Sequence, residues 1–194
     1  EARTLESVWG HLLGQATMVA TVPHHHIYGM LFRLVWPLAA GRPFDAHLCA
    51  HPLDLLERMA RCGDAAIVSS PAHLARLPEL IELEALKPAA RCIFSSGGPL
   101  AAATAQEFAR RFGAAPTEVY GSTETGGIAW RRQAETGGSS AWTPFPGMEI
   151  EVDAQQALRL RSPYLAHREW MTLDDAAELT ADGRFVLKGR LDRV

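Results

Sequence analysis

The sequence contains no apolar run of the roughly 18 or more residues that a bilayer crossing needs, so no membrane span is expected. It has no basic cluster either: the net charge is −3 and the lysines and arginines are scattered. That argues against nucleic acid or an anionic membrane as the main partner. Its three cysteines, Cys49, Cys62 and Cys92, are odd in number and contain no CxxC pair. They read as reduced, buried thiols of a cytoplasmic protein rather than as a disulfide framework. The opening "EARTLESVWG" shows no charged n-region and no cleavage-site pattern. There is also no initiator methionine, and the end, "KGRLDRV", stops inside a strand-like pattern, so a piece of a longer protein is expected. No internal repeat is found, and "AETGGSSAW" (134–142) reads as a flexible loop. What remains, 47% hydrophobic and 21% charged residues in a chain of 194, suits a globular protein of one domain or one and a half.

A consistent grammar occupies the first two thirds. A short helix over Leu5–Leu13 precedes "ATMVATVP", a β-branched apolar run stopped by Pro23. "IYGMLFRLVWPLAAG" reads as an apolar helix, and "HPLDLLERMARCG" as an amphipathic one with Gly63 as its stop. "AAIVSSP" and "ARCIFSSGG" are strands running into small-residue turns, each followed by a helix, "PAHLARL" and then "PLAAATAQEFARRFG" with Pro99 near its start. "TEVYGSTETGG" gives the next strand and loop. This alternation predicts an α/β fold, mainly a parallel sheet with crossover helices, over residues 1–127. From 128 to 194 the pattern changes to short, partly alternating strands, "GIAWRR", "MEIEVD", "ALRLRSP" and "RFVLKGR", with no convincing helix. A small antiparallel sheet or barrel is expected there, with Asp182-Gly183 as a hairpin turn.

Two loops fall where a parallel sheet places its ligand crevice, at the carboxyl ends of its strands. They are "SSGGPL" (95–100) and "YGSTETGG" (120–127). Glycines let the backbone approach a ligand, hydroxyls donate to phosphate oxygens, and the Glu124 carboxylate suits Mg²⁺ held jointly with substrate phosphates. Ordinary strand-to-helix turns are the competing reading of each loop alone. "VPHHHIYG" (22–29) raises zinc, but adjacent histidines point apart and no Cys or carboxylate sits at ligand spacing. Asp174 and Asp175 are either surface charge or a binder of sugar hydroxyls.

Taken in order, these segments resemble the adenylate-forming superfamily of acyl-CoA synthetases, aryl-CoA ligases and peptide-synthetase adenylation domains. "VPHHHIYG" is similar to that family's Pro/aromatic-His-Gly segment, "SSGGPL" to its Ser-Gly-Gly loop and "YGSTETGG" to its Tyr-Gly-x-Thr-Glu signature. "DDAAELTADGRFVLKGRLDRV" is similar to its ribose-binding Asp, Asp-Gly turn and Gly-Arg-x-Asp hinge. The resemblance implies that Tyr120 lies against adenine, with Ser96, Gly97, Gly98, Gly121 and Ser122 lining the nucleotide and acyl pocket. It implies that Thr123 donates to the α-phosphate, Glu124 ligates Mg²⁺, and His26 gates the acyl side. Asp175, preferred to Asp174 on its spacing to Asp182-Gly183, would accept from the ribose with Arg190 beside it. "TLDD" departs here from the usual Thr-Gly-Asp. Asp192 would be the hinge to a C-terminal domain.

The implied activity is ATP-dependent activation of a carboxylic acid as an acyl-adenylate, then transfer to the thiol of CoA or of a phosphopantetheine arm. A phosphate-cradling Lys loop and a Lys-bearing C-terminal domain do not occur in these residues, so the isolated chain is expected to be inactive. Small residues and histidines around His26–Met30 and Ser69–His73 suggest an aryl or modest acyl acid. "YGSTETGGIAWR" is similar to bacterial ligases of carrier-protein pigment or polyene pathways, which makes an acyl carrier protein an expected partner. The alternatives are a non-catalytic nucleotide- or acyl-binding module of the same fold, and a zinc protein built on His24–His26.

Overall fold

The computed structural model describes residues 1–133, 141–165, 167 and 169–191. The chain forms two compact units, Glu1–Glu118 with Arg132–Gly138, and Val119–Arg131 with Ser139–Val194. The boundary expected between residues 127 and 128 falls inside a strand, Gly126–Arg132.

The first unit is built on parallel strands. β1 (Thr17–Ala20) lies between β2 (Phe44–Leu48) and β3 (Ala65–Ser69), and β3 pairs with β4 (Ala90–Ser95), all parallel. β4 pairs in parallel with the start of β5 (Thr117–Ser122) through Phe94↔Thr117 and Ser95↔Glu118. All five residues of β3 are buried, as expected for a strand covered on both faces. The crossovers are helical: α1 (Ala2–Leu13) leads in, α4 (Pro52–Cys62) connects β2 to β3, and α5 (Pro71–Leu80) connects β3 to β4. α6 (Ala102–Phe112) connects β4 to β5. "IYGMLFRLVWPLAAG" is one helical run in three pieces: α2 (Ile27–Gly29), a π-helical segment (Met30–Val35) and α3 (Trp36–Ala40).

Each face of this sheet has its own packing. On one, Val19, Ile67 and Ile93 meet Leu55, Met59, Leu74, Leu77 and Phe108 of the crossover helices. On the other, the rings of Trp9, Phe32, Trp36 and Phe94 pack together with centroids 4.9–6.2 Å apart. Full burial of each such ring contributes about 1.5–3 kcal/mol. Arg42 is buried beside them, and its guanidinium grips the Glu6 carboxylate at 3.1 Å while Trp36 Nε1 donates to the same group at 2.8 Å. Burial raises the Glu6 pKa, but these donors outweigh it and the net direction is down.

In the second unit β6 (Gly126–Arg132) pairs antiparallel with β7 (Thr143–Pro144). A separate antiparallel sheet runs in the order β11 (Phe185–Arg190), β10 (Met171–Leu179), β9 (Ala157–Arg161), β8 (Glu149–Val152). Ile128, Trp142, Leu158, Leu160, Ala177 and Phe185 form its core. The larger sheet as a whole has seven strands in the order β2-β1-β3-β4-β5-β6-β7. The fold is thus α/β with a mostly parallel sheet plus a small antiparallel one, as the patterning implies. The expected hairpin at Asp182-Gly183 joins β10 to β11, closed by Thr180 N–H to Arg184 O at 2.8 Å.

Three local features depart from what the sequence pattern implies. β2 has no strand signal in the sequence: it is an edge strand whose Ala46 and His47 are exposed, so it lacks the apolar run of its neighbours. The strand that must precede the Asp182-Gly183 turn, β10, has no apolar pattern to give its extent, because two acidic residues stand at its centre. The helix expected from Pro99 begins only at Ala102. Leu100 is held back from it, its N–H donating to the Glu118 carboxylate at 3.1 Å.

Candidate functional site

In the first unit the Ser96–Pro99 loop leaves the carboxyl end of β4. Gly97 takes φ +88°, a backbone region that other residues enter at a steric cost, and Gly97 and Gly98 are exposed. Ser96 is half-buried and Ser95 just before it is buried, its hydroxyl without a partner among the described residues. From the end of β1, His24, His25 and His26 form an exposed turn. His26 is extended and caps α2, its carbonyl accepting from Met30 N–H at 2.7 Å. Among the described residues no group of three His, Cys, Asp or Glu side chains is placed to hold a metal, so the zinc reading has no ligand set.

In the second unit β5 turns into β6 through Ser122–Thr125. Thr125 is buried, and it closes the turn by hydroxyl and backbone bonds with Ser122 at 3.1–3.3 Å. The strands approach so tightly here that a Cβ on Gly121 would stand 2.2 Å from the Gly126 carbonyl oxygen. Thr123 and Glu124 are left exposed at the tip. The Ser122 hydroxyl, followed by backbone donation, holds the Glu124 carboxyl below its ordinary range, so it remains an anion. An exposed carboxylate of this kind fits an Mg²⁺ ion bound mainly through phosphates and water.

Just before the turn, the Tyr120 ring packs against Trp142 (5.5 Å between centroids) and Phe185 (6.2 Å). Its phenol donates to Asp175 Oδ2 on β10 at 2.8 Å. Burial, then the Asp175 charge and this bond, push the phenol pKa far above its ordinary value, so the O–H stays a donor. Asp174 and Asp175 are neighbours on a strand and therefore point to opposite sides. Asp174 is exposed and pairs with Arg190 at 3.3 Å. The arrangement brings Tyr120 and Asp175 together as one polar-tipped aromatic cluster and distinguishes the two acids. Arg190 stands opposite Asp175 in register while its guanidinium reaches Asp174. Asp192 lies outside the described residues.

The sequence model of the family described as AMP-binding enzyme matches residues 2–163. The chain belongs to that family. A similar protein is a 4-coumarate–CoA ligase of Rhodobacter capsulatus, 32% identical over 176 residues that make up 91% of this chain and 41% of that one. Among solved structures, apo MatB from Rhodopseudomonas palustris overlays with a TM-score of 0.84 at 19% identity, covering 98% of this chain and 43% of that one. A malonyl-CoA ligase with methylmalonyl-CoA and AMP bound overlays at 0.76 and 21% identity, covering 97% and 47%. At these identities the structural likeness speaks for the fold. The chain spans about two fifths of the length of the curated relatives it matches.

Residues to which the motifs assign no role also shape the loops and the Tyr120 cluster, each within its own unit. Glu118 is buried at the root of the "YGSTE" strand and takes hydrogen bonds from Leu100 N and Gln133 Nε2. Its place two residues before Tyr120, at the start of a strand entering the sheet, was the available signal. Thr125 and Trp142 had none, because one sits among several loop threonines and the other follows a polar stretch of sequence.

Proposed function

We propose that this chain forms the nucleotide- and acid-binding part of an ATP-dependent acid–thiol ligase. The substrate carboxylate attacks the α-phosphorus of ATP in line, the bond to the bridging oxygen breaks, and pyrophosphate leaves. A thiol of CoA or of a carrier-protein phosphopantetheine arm then attacks the acyl carbon of the adenylate, and AMP leaves. A carboxylate is already ionised at neutral pH, so no general base is required. The work left to the protein is positioning and charge stabilisation.

The proposed roles follow the resemblance to the adenylate-forming enzymes, residue by residue. Tyr120 offers its ring to adenine, and Asp175 accepts from ribose hydroxyls with Arg190 nearby. Thr123 donates to the α-phosphate, and Gly121 and Ser122 shape the turn beneath it. Ser96, Gly97 and Gly98 border the adenine and acyl side, and His26 stands beside the reacting carboxylate. Glu124 anchors Mg²⁺, which when bound supplies positive charge against the charge growing on the phosphate oxygens. Asp192 is the proposed hinge. The observation that carries this reading is the Tyr120–Asp175 bond at 2.8 Å. It joins the Tyr-Gly-x-Thr-Glu strand to the acidic strand in a chain that belongs to the AMP-binding enzymes.

An aryl or modest acyl acid is the proposed substrate, and the likeness to a 4-coumarate–CoA ligase supports an aryl one. The three free cysteines support a cytoplasmic setting. The chain's only lysines are Lys87 and Lys188, and Lys188 is paired with Glu178 at 2.7 Å. Neither lies in a Gly/Ser/Thr-rich loop, which supports weak or no adenylation by the isolated chain. ATP–pyrophosphate exchange tests both points. The full-length protein should exchange with a subset of an aryl and acyl acid panel, and Glu124→Gln should lower kcat on the order of a hundredfold. The isolated 194 residues should stay near background. Exchange by the full-length protein that is indifferent to Glu124→Gln would contradict the proposal.

A further inference from the structure

The Ser96–Pro99 loop is held at both ends by a single residue. At its start the backbone of Ser95 pairs with Glu118 across β4 and β5. At its end Leu100 N–H donates to Glu118 Oε2 at 3.1 Å. Gln133 closes the triangle, with Nε2 donating to Glu118 Oε1 at 2.8 Å and to Leu100 O at 2.9 Å. Both backbone polar groups of Leu100 are therefore engaged by these two side chains.

Glu118 is only 2% exposed. Burying a carboxylate costs several kcal/mol unless hydrogen bonds compensate it, so its presence in the buried first half of β5 calls for a local reason. The loop supplies one. Gly97 and Gly98 lack side chains to pack, and Pro99, though its ring fixes its own φ, has no N–H to donate, so the hydrogen bonds that hold the loop have to come from its ends. Leu100 N–H is the first backbone donor after the proline, and the Glu118 carboxylate takes it.

We infer that Glu118, assisted by Gln133, is a positioning residue that sets the shape of the Ser96–Pro99 loop. Its bearing on nucleotide affinity rests on the function proposed above; its bearing on the loop does not. Amide hydrogen exchange on the full 194-residue chain, without nucleotide, reads the loop directly. In Glu118→Ala the segment 96–101 should exchange about ten- to a hundredfold faster, the loss expected for a hydrogen bond to a charged group. β1 and β3 of the same unit should keep their protection. Glu118→Gln retains an acceptor for Leu100 and should show a smaller rise, and Gln133→Ala should loosen the same segment without altering a sheet strand. These two variants decide the matter if Glu118→Ala does not fold. Unchanged exchange of 96–101 in all three, or a uniform rise throughout the unit, would overturn the inference and leave Glu118 a general stability residue. If the wild-type chain binds no AMP, the functional reading fails while the exchange result still stands.

Discussion

Asp175 has one carboxylate oxygen occupied by the Tyr120 phenol and carries its charge half-buried on β10. Tyr120 thus does two jobs in the proposed site: its ring offers a face to a base, and its O–H fixes the rotamer of the acid meant for the sugar. Tyr120→Phe separates them, keeping the ring and removing the bond. AMP affinity should then fall about tenfold, the worth of a hydrogen bond to a charged group. The preference for AMP over 2′-deoxy-AMP should shrink with it. Calorimetric titration of both nucleotides checks this, and an undiminished ribose preference would remove Asp175's partner from the account. Asp174→Asn, which changes the exposed acid paired with Arg190, should leave that preference in place.

At the scale of elements, the turn between β5 and β6 presents Thr123 and Glu124 because its flanks are tight and its interior hydroxyls are satisfied. Gly121→Ala would drive a methyl against the Gly126 carbonyl, only 2.2 Å from where its Cβ would stand. We predict a loss of about 1–3 kcal/mol, seen as a lower denaturant midpoint at unchanged slope. Thr123→Ala at the exposed tip should change stability by less than about 0.5 kcal/mol. The parallel strands β3 and β4 are legible in the sequence because "AAIV" and "CIF" are apolar runs closed by serines, the mark of strands buried on both faces. β10 is not, since Asp174, Asp175 and Glu178 in "TLDDAAEL" interrupt the apolar alternation, two of them as partners of Arg190 and Lys188. The loops at 96–98 and 120–127 are legible through their glycines and hydroxyls. The Glu118–Leu100–Gln133 triangle is not, because it depends on contacts 15 to 33 residues apart that only the folded sheet creates.

For the whole molecule, the titrating groups set two pH limits. Glu84 is lowered to about 2 by Arg111, and Asp64, Glu178 and Asp182 are lowered chiefly by Arg91, Lys188 and Thr180. Depressed carboxylates contribute stability above their unfolded values near about 4 and lose it as pH falls further. These groups are exposed, so the acid loss should be shallow and weaker still in high salt. The alkaline side should be steeper. Burial pushes the Cys49 thiol up to about 11 and the Cys92 thiol up to about 12. Each remains neutral in the fold while the unfolded chain ionises from about pH 8.5, so stability should fall as pH rises through that window. Cys92→Ala should flatten thermal melting between about pH 8.5 and 10, below the range where tyrosines of the unfolded chain ionise.

In the proposed function Tyr120, Thr123 and Asp175 serve one nucleotide. Equilibrium binding of AMP to the 194-residue chain tests it most directly. Saturable binding is predicted, weakened about tenfold or more by Asp175→Ala and by Thr123→Ala while folding is retained. No saturable binding, or binding indifferent to both substitutions, would contradict it.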